Sequence, residues 1–201
     1  MNEPQGLARV LLTASDLAAR IVELAADIEG AHSPGPDPLV LVSVLKGSTL
    51  FTADLARALS IHVQFEFMSI SSYGQGAVQS GVVRIVKDLD IAIAGRDVLI
   101  VEDIVDTGLT LNYLRRTLRQ REPRSLAAVT LLDKSARRIV PVELEHAGFD
   151  IPDAFVIGYG LDFQGRYRNL ADILAVTDLP RLANDPLALT SGLWPPHGAA
   201  R

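Results

Sequence analysis

Two adjacent carboxylates, Glu102 and Asp103, are the side chains of this sequence best placed to do chemistry. They follow four apolar, mostly β-branched residues at 98–101, which predict a short strand buried on both faces. An Asp-Thr-Gly turn at residues 106–108 comes next, and a helical pattern begins at Leu109. Such an arrangement is typical of ligand sites in open α/β sheets, because the unpaired N–H groups of a helix start can face a phosphate.

Two further loops carry a lysine at the end of a predicted strand. Residues 46–48 (Lys-Gly-Ser) follow the apolar run 39–45, and a helical pattern begins after them. They suit an anion, but an ordinary βα loop is often built from the same residues and is favoured on this motif alone. Lys134 follows the predicted strand 125–133, where its three donors could hold an oxo group, although a surface lysine is the simpler interpretation.

The composition limits the classes of function. With 201 residues, 48% of them hydrophobic, the chain can bury one sizeable core and is expected to form a single domain. The absence of cysteine excludes disulfides and thiolate chemistry. A formal net charge of -5 argues against general nucleic-acid affinity. Without a signal peptide or an apolar run of about 18 residues, the sequence predicts a cytoplasmic protein with no membrane partner.

Strands and helices alternate along the predicted scaffold. The first helix is expected between a cap at Thr13 or Ser15 and about residue 29, with one buried face. Five residues at helical spacing form that face: Leu17, Ile21, Leu24, Ala25 and Ile28. Apolar or alternating runs predict strands at 10–12, 39–45, 62–70, 82–86, 98–101 and 125–133, and helices at 49–59 and 109–121.

Four segments carry patterns of other kinds. Residues 142–149 and 151–159 predict edge strands of a smaller β lobe, and the proline-rich end from about residue 179 predicts a frayed tail. The glycine-rich loop 71–81 is either a lid or simple disorder, and its composition favours neither.

The helix predicted at 109–121 carries four arginines. Such a cluster could bind RNA or another anion. Because the chain is acidic overall, the favoured interpretation is a solvated or subunit-facing surface. The four are Arg115, Arg116, Arg119 and Arg121.

Five stretches of the sequence together carry a family resemblance. VLIVEDIVDTGLTL at 98–111 resembles the phosphoribosyl-diphosphate (PRPP) motif of type I phosphoribosyltransferases. The chain is similar, more narrowly, to hypoxanthine-guanine phosphoribosyltransferases through four more stretches in the family's order. These are VLKGS at 44–48, SSYG at 71–74, LLDKSARR at 131–138 and PDAFVIGYGLDFQGRYRN at 152–169.

The resemblance spans roughly residues 10 to 175 and implies an α/β fold of the type I phosphoribosyltransferase kind. That fold has a central, mostly parallel sheet flanked by helices, with a small hood lobe. The implied organisation is one domain over 1–201, with a core at about 36–142 and a hood at about 143–178 plus the N-terminal segment. Residues 179–201 would be a tail.

The resemblance also implies a role for individual residues. Glu102 and Asp103 would hold the ribose hydroxyls and Mg²⁺, with Asp162 as a further Mg²⁺ ligand that also lies at the purine. The ribose-phosphate loop would comprise Asp106, Thr107, Gly108, Leu109 and Thr110. Asp106 would be the catalytic residue, a general base that takes the proton from purine N7.

The remaining implied contacts concern the purine, the diphosphate and the lid. Lys134 would donate to the 6-oxo group and reject adenine, with Phe155 stacked on the base and Val156 pairing with it through its backbone. The diphosphate contacts would be Lys46, Gly47 and Arg168, with a cis peptide bond between Leu45 and Lys46. The lid would close through Ser72 and Tyr73.

These roles imply an Mg²⁺-dependent purine salvage enzyme. It would transfer phosphoribosyl from PRPP to N9 of hypoxanthine and/or guanine, giving IMP or GMP and diphosphate. A xanthine-preferring phosphoribosyltransferase and a non-catalytic regulator that senses PRPP or nucleotide remain open as alternatives. The joint presence of Asp106, Lys134 and Arg168 favours the enzyme. We expect a homodimer or homotetramer without a nucleic-acid partner.

Overall fold

The computed structural model describes residues 6–32, 35–72 and 83–193. These residues form two compact units. The smaller unit ends at Leu17 and resumes at Ala154, and the larger unit runs from Ala18 to Asp153. The strands are β1 (Ala8–Leu12), β2 (Leu39–Leu45), β3 (Val63–Ser72), β4 (Val83–Lys87), β5 (Asp97–Val105), β6 (Ser125–Asp133), β7 (His146–Asp150), β8 (Phe155–Ile157) and β9 (Ile173–Val176). The helices are α1 (Ala14–Ala31), α2 (Thr49–Ala58), α3 (Leu109–Arg119), α4 (Leu179–Asn184) and α5 (Thr190–Leu193), with a 3-10 turn at Ser135–Arg137.

A six-stranded sheet in the order β4-β3-β2-β5-β6-β7 forms the larger unit. Strands β3, β2, β5, β6 and β7 pair in parallel, and β4 pairs antiparallel with β3 at one edge. The central strand β2 is buried at every position except Leu45, as expected of a strand covered on both faces. The predicted α/β fold with a mostly parallel central sheet is confirmed.

Strand β5 continues beyond the predicted end at residue 101. Its pairing with β6 runs on to Val105, which lies opposite Asp133. Glu102 and Asp103 therefore lie inside a paired strand, whereas the sequence predicted that they follow it. The strand was predicted to end with the apolar run because carboxylates are unfavourable in strands, and the predicted strand was therefore too short.

Helix α1 matches its prediction, and Thr13 is the residue that caps it. Thr13 Oγ1 accepts from Asp16 N at 3.2 Å, and Asp16 Oδ2 accepts in return from Thr13 N at 2.9 Å. All five residues of the predicted apolar face are buried. Among the helices of the described ranges, none is long and apolar enough to cross a membrane.

Arg115 contradicts the prediction that the arginines of α3 lie on a solvated or subunit-facing surface. Its side chain is 4% exposed and donates to Glu145 Oε2 through Nη1 and to Glu143 Oε2 through Nη2, both at 2.7 Å. Arg116 and Arg119 are exposed as predicted. Two carboxylates compensate the buried guanidinium, which explains how a cation is tolerated among the leucines of this helix.

The smaller unit contains a three-stranded antiparallel sheet in the order β1-β9-β8. Strand β9 had no prediction. The proposed edge strand at 142–149 is wrong in its place, because β7 begins at His146 and joins the large sheet beside β6. Strand β8 is confined to Phe155–Ile157. Apolar periodicity identifies a strand but carries no information about the strand it pairs with. The residues of β7 were therefore wrongly assigned to the smaller lobe.

The frayed-tail prediction is wrong for residues 179–193. Helix α4 carries Pro180 in its first turn, where a missing N–H is tolerated, and Asp178 caps it by accepting from Arg181 N at 3.0 Å. Leu182 and Leu189 are buried in the apolar cluster of the smaller unit. Residues 194–201 lie outside the described residues.

The hairpin predicted around the glycine-rich loop is confirmed. Ser72, at the end of β3, lies opposite Val83 in β4. Tyr73 and the remaining loop residues through 82 lie outside the described residues. The choice between a lid and disorder therefore stays a prediction.

Candidate active site

Glu102 is a carboxylate buried within β5. It is 5% exposed, and in the described ranges no group donates to its Oε1 atom. Burial, and secondarily the charge of Asp103, raises the pKa of Glu102 well above its ordinary value. A buried oxygen without a hydrogen-bond donor lowers the stability of the protein. Such an oxygen is well suited to accept a hydrogen bond from a ligand hydroxyl or to bind a hard cation.

Gly47 lies directly against the carboxylate of Asp103. A Cβ added at Gly47 would overlap Asp103 Oδ2, so this close approach requires glycine. Asp103 Oδ1 accepts from the N–H of Ile104 at 3.0 Å. The structure thus brings a predicted diphosphate residue next to a predicted ribose residue, although the two are far apart in sequence.

Buried hydroxyls fix the loop that carries Gly47. Ser48 Oγ lies 2.8 Å from Ser43 Oγ, and Thr52 Oγ1 donates to the backbone oxygen of Ser48 at 2.8 Å. All three side chains are buried. The Leu45–Lys46 peptide bond is cis, as the resemblance implied, and Lys46 is exposed.

Gly108 makes the turn from β5 into α3. Its φ of +84° lies in the left-handed region, and a Cβ there would be 2.9 Å from Arg138 Cδ. Leu109 and Thr110 follow as the first residues of α3, whose first-turn N–H groups have no helical carbonyl partner. The side chain of Leu109 is exposed, so this position offers a phosphate its backbone alone. The turn therefore brings the start of α3 directly after β5, and its role as a phosphate loop stays a prediction.

The segment after β6 packs onto this loop. Lys134 N donates to Val105 O at 2.9 Å, and Ile139 N donates to Thr107 O at 3.0 Å. Lys134 is 6% exposed, so the surface-lysine interpretation is wrong. Its ammonium has no hydrogen-bond or ion-pair partner within the part of the chain that the structure describes. An unpaired ammonium at the end of a largely buried side chain is suited to an acceptor atom from a ligand.

Two arginines contact Asp106 from the same segment. Arg137 Nε lies 3.1 Å from Asp106 Oδ1, and Arg138 Nη1 donates to the backbone oxygen of Asp106 at 3.3 Å. No role was predicted for either arginine, although both end the LLDKSARR stretch. The signal that could have found them is the presence of two cations beside a predicted anion loop.

The remaining predicted site residues belong to the smaller unit. Phe155 is partly exposed, and its ring meets that of Phe163 edge-on, with centroids 5.8 Å apart. Asp162 Oδ1 pairs with Arg168 Nη2 at 2.6 Å. Val156 is buried in β8. The structure therefore places Asp162 and Arg168 in contact, and their separate roles stay predictions.

Comparison with known proteins identifies the family. Residues 11–164 match the family described as "Phosphoribosyl transferase domain". The hypoxanthine-guanine phosphoribosyltransferase of Mycobacterium avium is 53% identical over 175 residues, which cover 85% of this chain and 86% of that protein. This chain belongs to the hypoxanthine-guanine phosphoribosyltransferase family. The hypoxanthine phosphoribosyltransferase of Haemophilus influenzae is also similar, with 51% identity over 82% of this chain and 92% of that protein.

Solved structures of hypoxanthine-guanine phosphoribosyltransferases share this fold. One from Bacillus anthracis, with a HEPES molecule in its active site, has a TM-score of 0.79 and 41% identity over 85% of this chain and 99% of that one. A Trypanosoma cruzi hypoxanthine phosphoribosyltransferase has a TM-score of 0.82 and 45% identity over 94% of this chain and 100% of that one. That protein was studied for the role of its C-terminal region in oligomeric state and activity.

The acidic pair Glu102 and Asp103 fits a hard cation with few protein ligands. The described residues contain no group of three or more carboxylate, imidazole or thiolate side chains able to hold a metal. Mg²⁺ commonly uses one or two carboxylates and keeps several waters. The unsatisfied Oε1 of Glu102 beside Asp103 matches that requirement.

Proposed function

We propose that this protein transfers the 5-phosphoribosyl group of PRPP to N9 of a 6-oxopurine, hypoxanthine and/or guanine, giving IMP or GMP and diphosphate. The observation that carries the proposal is the position of Lys134, a largely buried residue whose ammonium has no partner among the described residues. Its backbone N–H donates to Val105 O, directly before the phosphate loop. An unpaired donor next to a site for ribose and phosphate favours a nucleobase that carries a hydrogen-bond acceptor. The names of relatives such as that of M. avium support the same substrates.

The larger unit would bind the ribose phosphate through two groups of atoms. Glu102 and Asp103 accept from the ribose hydroxyls, which supply the donors that the buried carboxylate lacks. The 5′-phosphate takes the N–H groups at the start of α3 and the hydroxyls of Thr107 and Thr110. Mg²⁺, held by the acidic pair with Asp162 as the further proposed ligand, would neutralise charge on the diphosphate.

Asp106 would act on the purine while the glycosidic bond forms. N9 attacks C1′ with its lone pair, the bond from C1′ to the diphosphate oxygen breaks, and diphosphate leaves with the electron pair. The proton on purine N7 passes to the Asp106 carboxylate. Because the ribose develops positive charge, water must be excluded, which is the role proposed for Ser72 and Tyr73. Lys46, Gly47 and Arg168 would hold the departing diphosphate.

Lys134 would select the base. Its ammonium can donate to a 6-oxo group but can accept nothing from the 6-amino group of adenine, so adenine would leave a buried cation unpaired. Phe155 and Val156 would hold the base by stacking and by backbone pairing. The lysine does not address the 2-substituent, which separates guanine and xanthine from hypoxanthine.

The experiment that tests the proposal is a spectrophotometric assay with PRPP, Mg²⁺ and one purine at a time. We expect turnover with hypoxanthine or guanine and none with adenine. A preference for xanthine would support the first alternative, and absence of turnover with every purine would support the regulator. Omission of Mg²⁺ in a parallel reaction tests the metal requirement.

The oligomeric state and the cellular compartment of the enzyme are also part of the proposal. A homodimer or homotetramer in the cytoplasm is expected, as for salvage of soluble substrates. Analytical ultracentrifugation of the full chain distinguishes these assemblies from a monomer. The Trypanosoma cruzi relative, in which the C-terminal region was examined for its effect on oligomeric state, makes residues beyond 179 the segment to truncate in that measurement.

A further inference from the structure

Arg137 joins two acidic side chains of the larger unit. Its Nε atom lies 3.1 Å from Asp106 Oδ1, and its Nη1 atom donates to Asp153 Oδ1 at 3.2 Å. The guanidinium is planar and carries its donors in a fixed fork, so two carboxylates fix its orientation better than one. Asp153 therefore holds Arg137 in place against Asp106.

The two oxygens of Asp106 have different surroundings. Oδ1 is buried, accepts no well-aligned hydrogen bond within the described ranges, and faces Arg137, whereas the whole side chain is 38% exposed. The exposed area of the carboxyl group therefore belongs to Oδ2. One oxygen is held by the guanidinium, and the other is accessible to a ligand.

The backbone holding Arg137 is itself attached to the phosphate loop. Arg137 ends the 3-10 turn, which begins after Lys134, and its N–H donates to Lys134 O at 2.9 Å. Ser135 Oγ donates to Asp150 Oδ1 at 2.7 Å and fixes the other side of the turn. The next residue, Arg138, donates to the backbone oxygen of Asp106 and pairs with Asp133, so the carboxylate of Asp106 is left to Arg137.

We infer that Arg137 is a positioning residue for Asp106, holding Oδ1 so that Oδ2 is oriented to take the proton from purine N7. The inference rests on the proposed function, in which Asp106 is the general base. Arg137 acts through Asp106 and contacts no substrate. Its removal should therefore lower kcat and leave the KM for PRPP and for the purine nearly unchanged.

The test is a set of steady-state measurements on the full-length protein with PRPP, Mg²⁺ and hypoxanthine. Arg137→Ala should lower kcat about fivefold, as expected for a partly exposed ion pair worth roughly 1 kcal/mol. Arg137→Lys keeps a cation near Oδ1 without the fork and should give an intermediate kcat. Arg116→Ala is the control, because Arg116 is an exposed arginine of α3 and should leave kcat unchanged.

A double-mutant cycle separates positioning from other roles. If Arg137 acts through Asp106, Arg137→Ala should have no further effect in an Asp106→Asn background. An additive loss in the double variant, or an unchanged or increased kcat in Arg137→Ala, would overturn the inference. An unimpaired Asp106→Asn variant would instead remove the general base from the proposed function, so the two failures are distinguishable.

Discussion

Replacing Glu102 with glutamine should stabilise the ligand-free protein and weaken its affinity for PRPP. Glu102 is 5% exposed, its Oε1 lacks a hydrogen-bond donor among the described residues, and burial raises its pKa well above the ordinary value. Glutamine keeps the shape of the side chain and removes the charge. Each unit by which burial raises the pKa of Glu102 corresponds to about 1.4 kcal/mol lost by the ionised protein, and each kcal/mol shifts the melting temperature of a chain of this size by about 2–4 °C. We therefore expect the melting temperature at pH 8 to rise by about 3–6 °C for each unit by which the pKa of Glu102 is raised.

The stabilisation should depend on pH in a defined direction. Below the ordinary pKa of 4.5, the carboxyl group of Glu102 is protonated in both the folded and the unfolded protein. As the pH rises from there towards the raised pKa of the folded state, the unfolded chain releases this proton first, and the wild-type protein loses stability. The difference in melting temperature between E102Q and the wild type should be smallest near pH 4.5 and should grow with pH.

Scanning calorimetry between pH 4.5 and 8.5 measures this difference directly. Glu122→Gln is the matched control, because Glu122 is exposed and forms no ion pair within the described ranges. Adding Mg²⁺ and PRPP should raise the melting temperature of the wild type more than that of E102Q, since the ligand binds the folded state through this carboxylate. A difference that does not change with pH, or a lower melting temperature for E102Q at pH 8, would refute the reasoning.

Three further substitutions test separate contacts. Lys134→Met should raise the KM for hypoxanthine about 10- to 100-fold, the range expected for a lost charge-assisted hydrogen bond, without a change in the KM for PRPP. Gly47→Ala should raise the KM for PRPP and leave the fold intact, because its Cβ would displace the carboxylate of Asp103, as kinetics and circular dichroism can show. Arg115→Ala should destabilise the protein by about 2 kcal/mol in urea denaturation. The substitution removes a buried guanidinium and leaves its two carboxylate partners, Glu143 and Glu145, partly solvated.

The sequence predicted best what depends on neighbouring residues. The buried run of β2, a helix cap at Thr13 or Ser15 and the glycine turn into α3 were all predicted, because local periodicity and conformational preference determine them. The extent of β5 was missed because it depends on pairing with β6, a partner elsewhere in the chain. For the same reason the segment that forms β7 was assigned to the smaller lobe instead of the sheet that contains β6.

For the site too, the sequence predicted the individual motifs but not the contacts between distant residues. Motifs identified Asp103 and Gly47 separately, each from its own stretch, but their contact depends on how two parallel strands align at the same edge of the sheet. Arg137 had no motif role, since its pairing with Asp106 requires the turn after β6 to fold back onto the phosphate loop. Residue type can suggest a ligand site, whereas the partner that orients a side chain depends on tertiary structure.

Arg115 shows that some of the missed information was present in the pattern. Leu111, Leu114 and Leu118 are spaced to share one face of a helix, and position 115 falls on that face, four residues after the first leucine. Burial of the arginine therefore followed from periodicity, and a buried guanidinium requires carboxylates. Glu143 and Glu145, on the segment that leads into β7, both accept from this guanidinium. Giving the spacing more weight than the net charge of the chain would have placed this ion pair in the interior.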